Sequence, residues 1–200
     1  MSDWRLDEHG GADAAAIGEI DVIPGHPDTL IRIERLEQEV QYHPGDWQTR
    51  VALAQALAQN GQFGQSVDHL RSSLDLVSDR RSLASIFFNL GVCFENQEAW
   101  AQAITAYEQC AFLLPHLFWV HHNLGICFHR SGNLPCAVDE LRLATALNRE
   151  VPELYQSLAE ACLDAGLPGE AQQACRRFIE LEPYSTWGHQ VLDRIRRQIN

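Results

Sequence analysis

Lysine is absent from this 200-residue chain, and all 15 of its basic residues are arginine. Chemistry that needs a lysine amine is therefore excluded, including a Schiff base, a phosphate-loop lysine or a kinase strand lysine. Long apolar runs are missing too. The most apolar stretches, Leu83 to Phe94 and Cys110 to Val120, are broken by Asn89, Pro115 and His116, and neither reaches the roughly 18 residues a spanning helix requires. No basic cluster relieves the net charge of −12, so the chain repels polyphosphates and nucleic acid is not an expected ligand. The start, Met1 to Glu8, shows no basic segment followed by an apolar one, which makes the cytoplasm the expected location. None of the six cysteines forms a CxxC pair; all fall within helical patterns, where a free thiol behaves as a small buried hydrophobe.

What the chain does have is an internal period. Leu90-Gly91, Leu124-Gly125 and Leu158-Ala159 are separated by 34 residues each time. Phe94, Phe128 and Cys162 follow in register, as do Ala103, Ala137 and Ala171, then Tyr107, Leu141 and Cys175. An earlier copy carries Leu53-Ala54, Leu57, Gly61, Ser66 and Leu70, offset by 37 because of extra residues near Arg81 to Leu83. A fixed period in this range marks a stack of helical or strand units. Apolar residues at helical spacing on both sides of a turn, as in Phe87, Leu90, Gly91 and Phe94 followed by Ala103, Tyr107 and Cys110, predict two helices per copy. Pro135, Pro152 and Pro168 suit first helical turns, Gly61, Gly132 and Gly166 suit helix ends, and Asp46 and Ser185 are placed as N-caps. Small residues at Gly91, Gly125 and Ala159 are expected to let paired helices cross closely, opposite Ala103, Ala137 and Ala171.

On these residues the chain resembles the tetratricopeptide repeat family. The resemblance implies an all-α fold, a right-handed superhelical solenoid of helix-turn-helix repeats with capping helices. It places four repeats at 47–80, 84–117, 118–151 and 152–185. A packing helix is expected over 27–45, where Leu30, Ile33, Leu36 and Val40 share a face. A capping helix is expected over 186–200, with Trp187, Val191, Ile195 and Ile199 inward and Arg194, Arg196 and Arg197 opposite. Residues 1–26, part of a 40-residue start holding 10 acids against 3 arginines, read as a disordered acidic arm.

The resemblance also implies a concave groove that holds a partner protein segment. The stripe expected to face it comprises Phe88, Asn89 and Val92 in the second repeat and Trp119, His122, Asn123, Ile126, His129 and Arg130 in the third. Phe88 and Trp119 are the expected aromatic anchors, with Arg130 selecting an acidic or C-terminal group. These positions are also compatible with ordinary surface residues, and Asn89 and Asn123 equally so with plain consensus asparagines. A carboxylate clamp is disfavoured, because Val51, Gln55, Glu153 and Ser157 stand where its basic residues belong. Metal binding is disfavoured as well: His122 and His129 are seven residues apart, roughly 10 Å along a helix, where a ligand pair wants three or four. No nucleophile-base arrangement, paired-carboxylate cleft or phosphate loop is present, so neither an enzyme nor a cofactor is expected. The expected function is a protein-interaction scaffold or adaptor. The alternatives are a type III secretion-type chaperone for translocator proteins, which the chain resembles in size, acidity and repeat content, or a non-catalytic regulatory subunit of an enzyme complex.

Overall fold

The computed structural model describes residues 22–199, with side chains as far as Ile195. The expected disorder of the arm as far as residue 21, and the expected facing of the Arg196, Arg197 and Ile199 side chains, fall on residues outside those described. The described residues form ten helices and no strand, and no helix among them is long and apolar enough to cross a membrane. The chain divides into two compact units, Met1–Pro115 and His116–Asn200.

The first unit contains α1 (Pro27–Tyr42), α2 (Trp47–Gln59), α3 (Phe63–Leu74), α4 (Arg80–Asn96) and α5 (Trp100–Leu113). Two hairpins, α2 with α3 and α4 with α5, pack in sequence, and α1 lies on α2. Asp46 caps α2, accepting from the backbone N–H groups of Gln48 and Thr49, and Asp79 caps α4 through Ser82. Ile33 and Leu36 of α1 bury against Leu53, Ala56 and Leu57 of α2 with Val40 beside them. Leu30, expected on that same face, is instead 41% exposed.

The second unit contains α6 (Phe118–Arg130), α7 (Leu134–Leu147), α8 (Pro152–Asp164), α9 (Pro168–Leu181) and α10 (Thr186–Ile199). Hairpins α6 with α7 and α8 with α9 are followed by α10, which packs on α9. Its core joins Val138 and Leu141 of α7, Cys162 of α8, Cys175 of α9, and Leu192 and Ile195 of α10, with Trp187 and Val191 packed against it. Trp187 meets Phe178 edge-on at 4.8 Å.

All four hairpins close by one device. The residue after each helix cap takes a left-handed conformation: Gly61 at φ 77°, Glu98 at 56°, Gly132 at 83° and Gly166 at 71°. The next amide reaches back into the helix, Gln62 to the Leu57 carbonyl, Ala99 to Phe94, Asn133 to Phe128 and Leu167 to Cys162, at 2.8–2.9 Å. This is the Schellman closure, which satisfies carbonyls a helix end otherwise leaves orphaned. Three copies use glycine, which carries no penalty there; the second forces Glu98 into the same conformation.

The close helix crossings are tighter than the small-residue pairs suggest. A Cβ on Gly91 would stand 2.4 Å from the Tyr107 ring, and one on Gly125 would stand 2.5 Å from Leu141. The glycines therefore make room for large side chains of the second helix. Ala103 and Ala137 are fully buried as well, and the Ala137 carbonyl comes within 3.2 Å of the Gly125 position.

The structure also corrects the arm at its inner end. Residues 22–26 are tied to the body: the Ile23 amide donates to the Gln59 carbonyl at 3.0 Å and the Gly25 amide to Asn60 Oδ1 at 2.7 Å. Val22 and Pro24 side chains lie over Gly61.

Candidate functional site

The stripe predicted for the groove divides between burial and exposure. In α4, Phe88 is 4% exposed and Val92 6% exposed. Phe88 stacks edge-on against Tyr107 of α5 with ring centres 5.6 Å apart. Both are core residues, contrary to the expectation of an exposed anchor. The physical reason is that α4 is packed by α5, α3 and α2 together, so its apolar surface wraps well beyond the single stripe that a one-sided amphipathic helix shows. Asn89 is half-buried, and its Nδ2 donates to the Ser85 carbonyl one turn back at 2.8 Å.

In α6, His122 and Asn123 are buried, Trp119, Ile126 and His129 are half-buried, and Arg130 is exposed. Trp119 lies between Phe118 at 4.8 Å and His122 at 5.5 Å. His122 Nε2 pairs with Ser157 Oγ at 2.9 Å, and two turns later His129 Nε2 pairs with Asp164 Oδ2 at 2.7 Å. Both partners sit 35 residues further on, in α8, so the two histidines stitch α6 to α8 along one seam. Trp119, Ile126 and Arg130 flank the seam from α6. Glu153 and Glu160, both exposed, belong to α8. His121 is buried and bonds through Nδ1 to Glu140 Oε2 of α7 at 2.7 Å.

Burial pushes the His122 imidazole down from its ordinary value to about 4, with the neighbouring Asn123 side chain opposing the shift. His122 is therefore neutral near pH 7. Its Nδ1 and the Trp119 Nε1 have no hydrogen-bond partner. Two unsatisfied polar atoms on neighbouring rings are costly, on the order of 1–3 kcal/mol each when fully desolvated.

The seam was missed in the sequence, although a signal existed. His122 with Ser157, and His129 with Asp164, are each one residue longer than the repeat. The thiols are all free; Cys136 is half-buried and the other five are buried. Burial pushes Cys110 up to about 12, and Cys162 and Cys175 up to about 11, with Glu170 adding to the shift at Cys162. Among the described residues, no group of three His, Cys, Asp or Glu side chains could hold a metal ion.

Comparison with known proteins agrees with this architecture. A tetratricopeptide repeat family model matches residues 47–72. The tetratricopeptide repeat-containing protein trd-1 of Caenorhabditis elegans is 28% identical over 130 residues, covering 65% of this chain and 16% of the relative. This chain thus spans a small part of that protein. Among solved structures, MamA superposes with a TM-score of 0.70 at 19% identity, covering 76% of this chain and 86% of MamA. The first TPR of Spaghetti (RPAP3), bound to an HSP90 peptide, superposes with a TM-score of 0.56 at 23% identity, covering 59% of this chain and 94% of that one. With four helical hairpins, each closed by the same turn, the described residues have the fold of tetratricopeptide-repeat solenoids, and residues 47–72 match that family's model.

Proposed function

We infer that the chain is a protein-interaction scaffold that binds a segment of a partner protein along the α6–α8 face. The same reading makes it a non-catalytic module working in the cytoplasm. The observation that carries the reading is the seam itself. His122 and His129 hold two first helices side by side, and Trp119, Ile126 and Arg130 remain along its edge with part of their surface open. An aromatic and an aliphatic side chain beside one arginine offer an apolar anchor with a charge next to it, the kind of arrangement that concentrates binding energy. The exposed carboxylates of Glu153 and Glu160 on α8 favour a segment that also carries a basic residue.

The orphaned atoms support the same reading. A peptide amide brings both an acceptor, for Trp119 Nε1, and a donor, for His122 Nδ1. Both atoms are closed off from solvent in the unbound chain, so engaging them requires the Trp119 ring to turn outward. The RPAP3 domain holds a peptide on the same fold, which is a precedent for the architecture.

The test compares partner recovery by wild type with that by a Trp119→Ala, Arg130→Glu double variant, alongside circular dichroism and melting. The expected result is loss of partners with helicity retained. Recovery of every wild-type partner by a folded double variant would falsify the α6–α8 reading.

A further inference from the structure

Beside the seam, with which it shares Asp164, the second unit has a cavity of about 420 Å³ where α7 meets the turn between α8 and α9. Its apolar walls include Leu134, Val138 and Leu167, and its rim carries Asp139, Arg142 and Asp164. The volume lies toward the lower part of the range of roughly 300–1,000 Å³ typical of ligand sites, which suits one or two side chains better than a large cofactor. Leu167 is 37% exposed at the mouth, whereas Val138 is 2% exposed in the floor.

The rim has an excess of negative charge, and its one cation is committed. Arg142 Nε and NH2 fork onto both carboxylate oxygens of Glu170 at 2.7–3.0 Å, and its NH1 takes Asp139 Oδ1 at 2.9 Å. A guanidinium engaged on three nitrogens has little left for an incoming anion. The carboxylates, in contrast, stay open: the side chains of Asp139 and Asp164 are 73% and 62% exposed. Each has one oxygen engaged, Asp139 by Arg142 and Asp164 by His129, and a carboxylate oxygen accepts more than one bond.

We propose that this cavity is a second docking surface, which takes an apolar side chain carried next to an arginine or lysine of a protein partner. The apolar side chain fills the space over Val138 and against Leu134 and Leu167, and the adjacent cation lies across Asp139 and Asp164. This goes beyond the α6–α8 reading, because none of the apolar walls belongs to the seam.

The test titrates the full-length, isotope-labelled chain with three capped dipeptides, Ac-Leu-Arg-NH2, Ac-Leu-Glu-NH2 and Ac-Gly-Arg-NH2, and follows backbone amide shifts. Ac-Leu-Arg-NH2 is expected to move Val138, Ala165 and Leu167 in a saturable way, and the other two to bind at least three-fold more weakly. Asp139→Asn should weaken Ac-Leu-Arg-NH2 by about two- to five-fold, the contribution of an exposed ion pair, with the melting temperature unchanged. The same shifts should persist in Trp119→Ala, which separates this cavity from the seam. Equal binding of the arginine and glutamate dipeptides overturns the proposal, as does absence of shifts at those three amides. Indifference to Asp139→Asn, or loss of the shifts in Trp119→Ala, overturns it as well.

Discussion

Replacing Gly91 with alanine puts one methyl group where the structure has none to spare. The added Cβ would lie 2.4, 2.6 and 2.7 Å from three ring carbons of Tyr107, so the ring must retreat by about 1 Å to reach ordinary contact. It has nowhere to go, being fully buried with Phe88 packed edge-on at 5.6 Å. Its hydroxyl also donates to Glu95 Oε2 at 2.7 Å. Overpacking of this kind costs about 1–3 kcal/mol, and disturbing a hydrogen bond to a charged group adds about 1.5 kcal/mol or more. Against this, alanine gains about 1 kcal/mol over glycine in a helix interior. The expected net loss is roughly 2–3 kcal/mol, read by urea unfolding followed by circular dichroism. The fourth repeat shows how the clash is avoided, since Ala159 and Cys175 hold the corresponding positions. In a Tyr107→Cys background, Gly91→Ala should therefore become nearly neutral, with a coupling energy above about 1 kcal/mol. A loss below 1 kcal/mol in the wild-type background, or the same loss in both, would refute the steric reasoning.

Other expectations rest on single features. Glu98→Gly should raise stability by about 0.5–1 kcal/mol, because it relieves a left-handed non-glycine residue at φ 56°; an unchanged or lower melting temperature counts against the turn assignment. Denatured protein should titrate six thiols with or without reductant, and in the native chain Cys136 should react first, since it is half-buried and the other five are buried. His122 is pushed down to about 4 from an ordinary 6.5. The unfolded chain thus binds a proton as pH falls through 6.5 while the folded one does not until about 4. Stability is lost across that window by up to on the order of 3 kcal/mol, and a His122→Gln variant should show a flatter profile between pH 6.5 and 4. Deleting residues 1–26 rather than 1–21 removes the Ile23–Gln59 and Gly25–Asn60 hydrogen bonds and should lower stability by about 1–2 kcal/mol; identical melting of the two truncations would show that the 22–26 contacts contribute nothing.

The helices and their turns were legible because each rests on local chemistry that repeats. Asp46 caps a helix, prolines open four others, and a left-handed residue closes every hairpin. Those signals depend on neighbours within a few residues, and the 34-residue period multiplies them. Glu98 shows the strength of that logic: the position is left-handed although its residue is not glycine, since register and turn geometry outweigh the local preference.

Which residues face outward is a different kind of question, and there the sequence pattern failed at Phe88 and Val92. Periodicity ranks the faces of a helix by apolar content, and this works when one face meets protein and the other meets water. Helix α4 meets α2, α3 and α5, so positions on two faces are apolar for the same reason and periodicity cannot tell the second core face from a binding face. On α6 the polar residues mislead in the opposite sense. His122 looks like groove lining but is buried, as is His121 beside it, and Glu140 bonds His121 while Ser157 bonds His122 from neighbouring helices. Those partners lie 19 and 35 residues away, and neither separation equals the repeat. A histidine on such a helix is therefore diagnostic only in company: it marks a helix seam where a hydroxyl or carboxylate follows one residue beyond the period, as Ser157 follows His122 and Asp164 follows His129. By that criterion the surface on α6 proposed for binding reduces to Trp119, Ile126 and Arg130, the positions beside the seam with no such partner in α8.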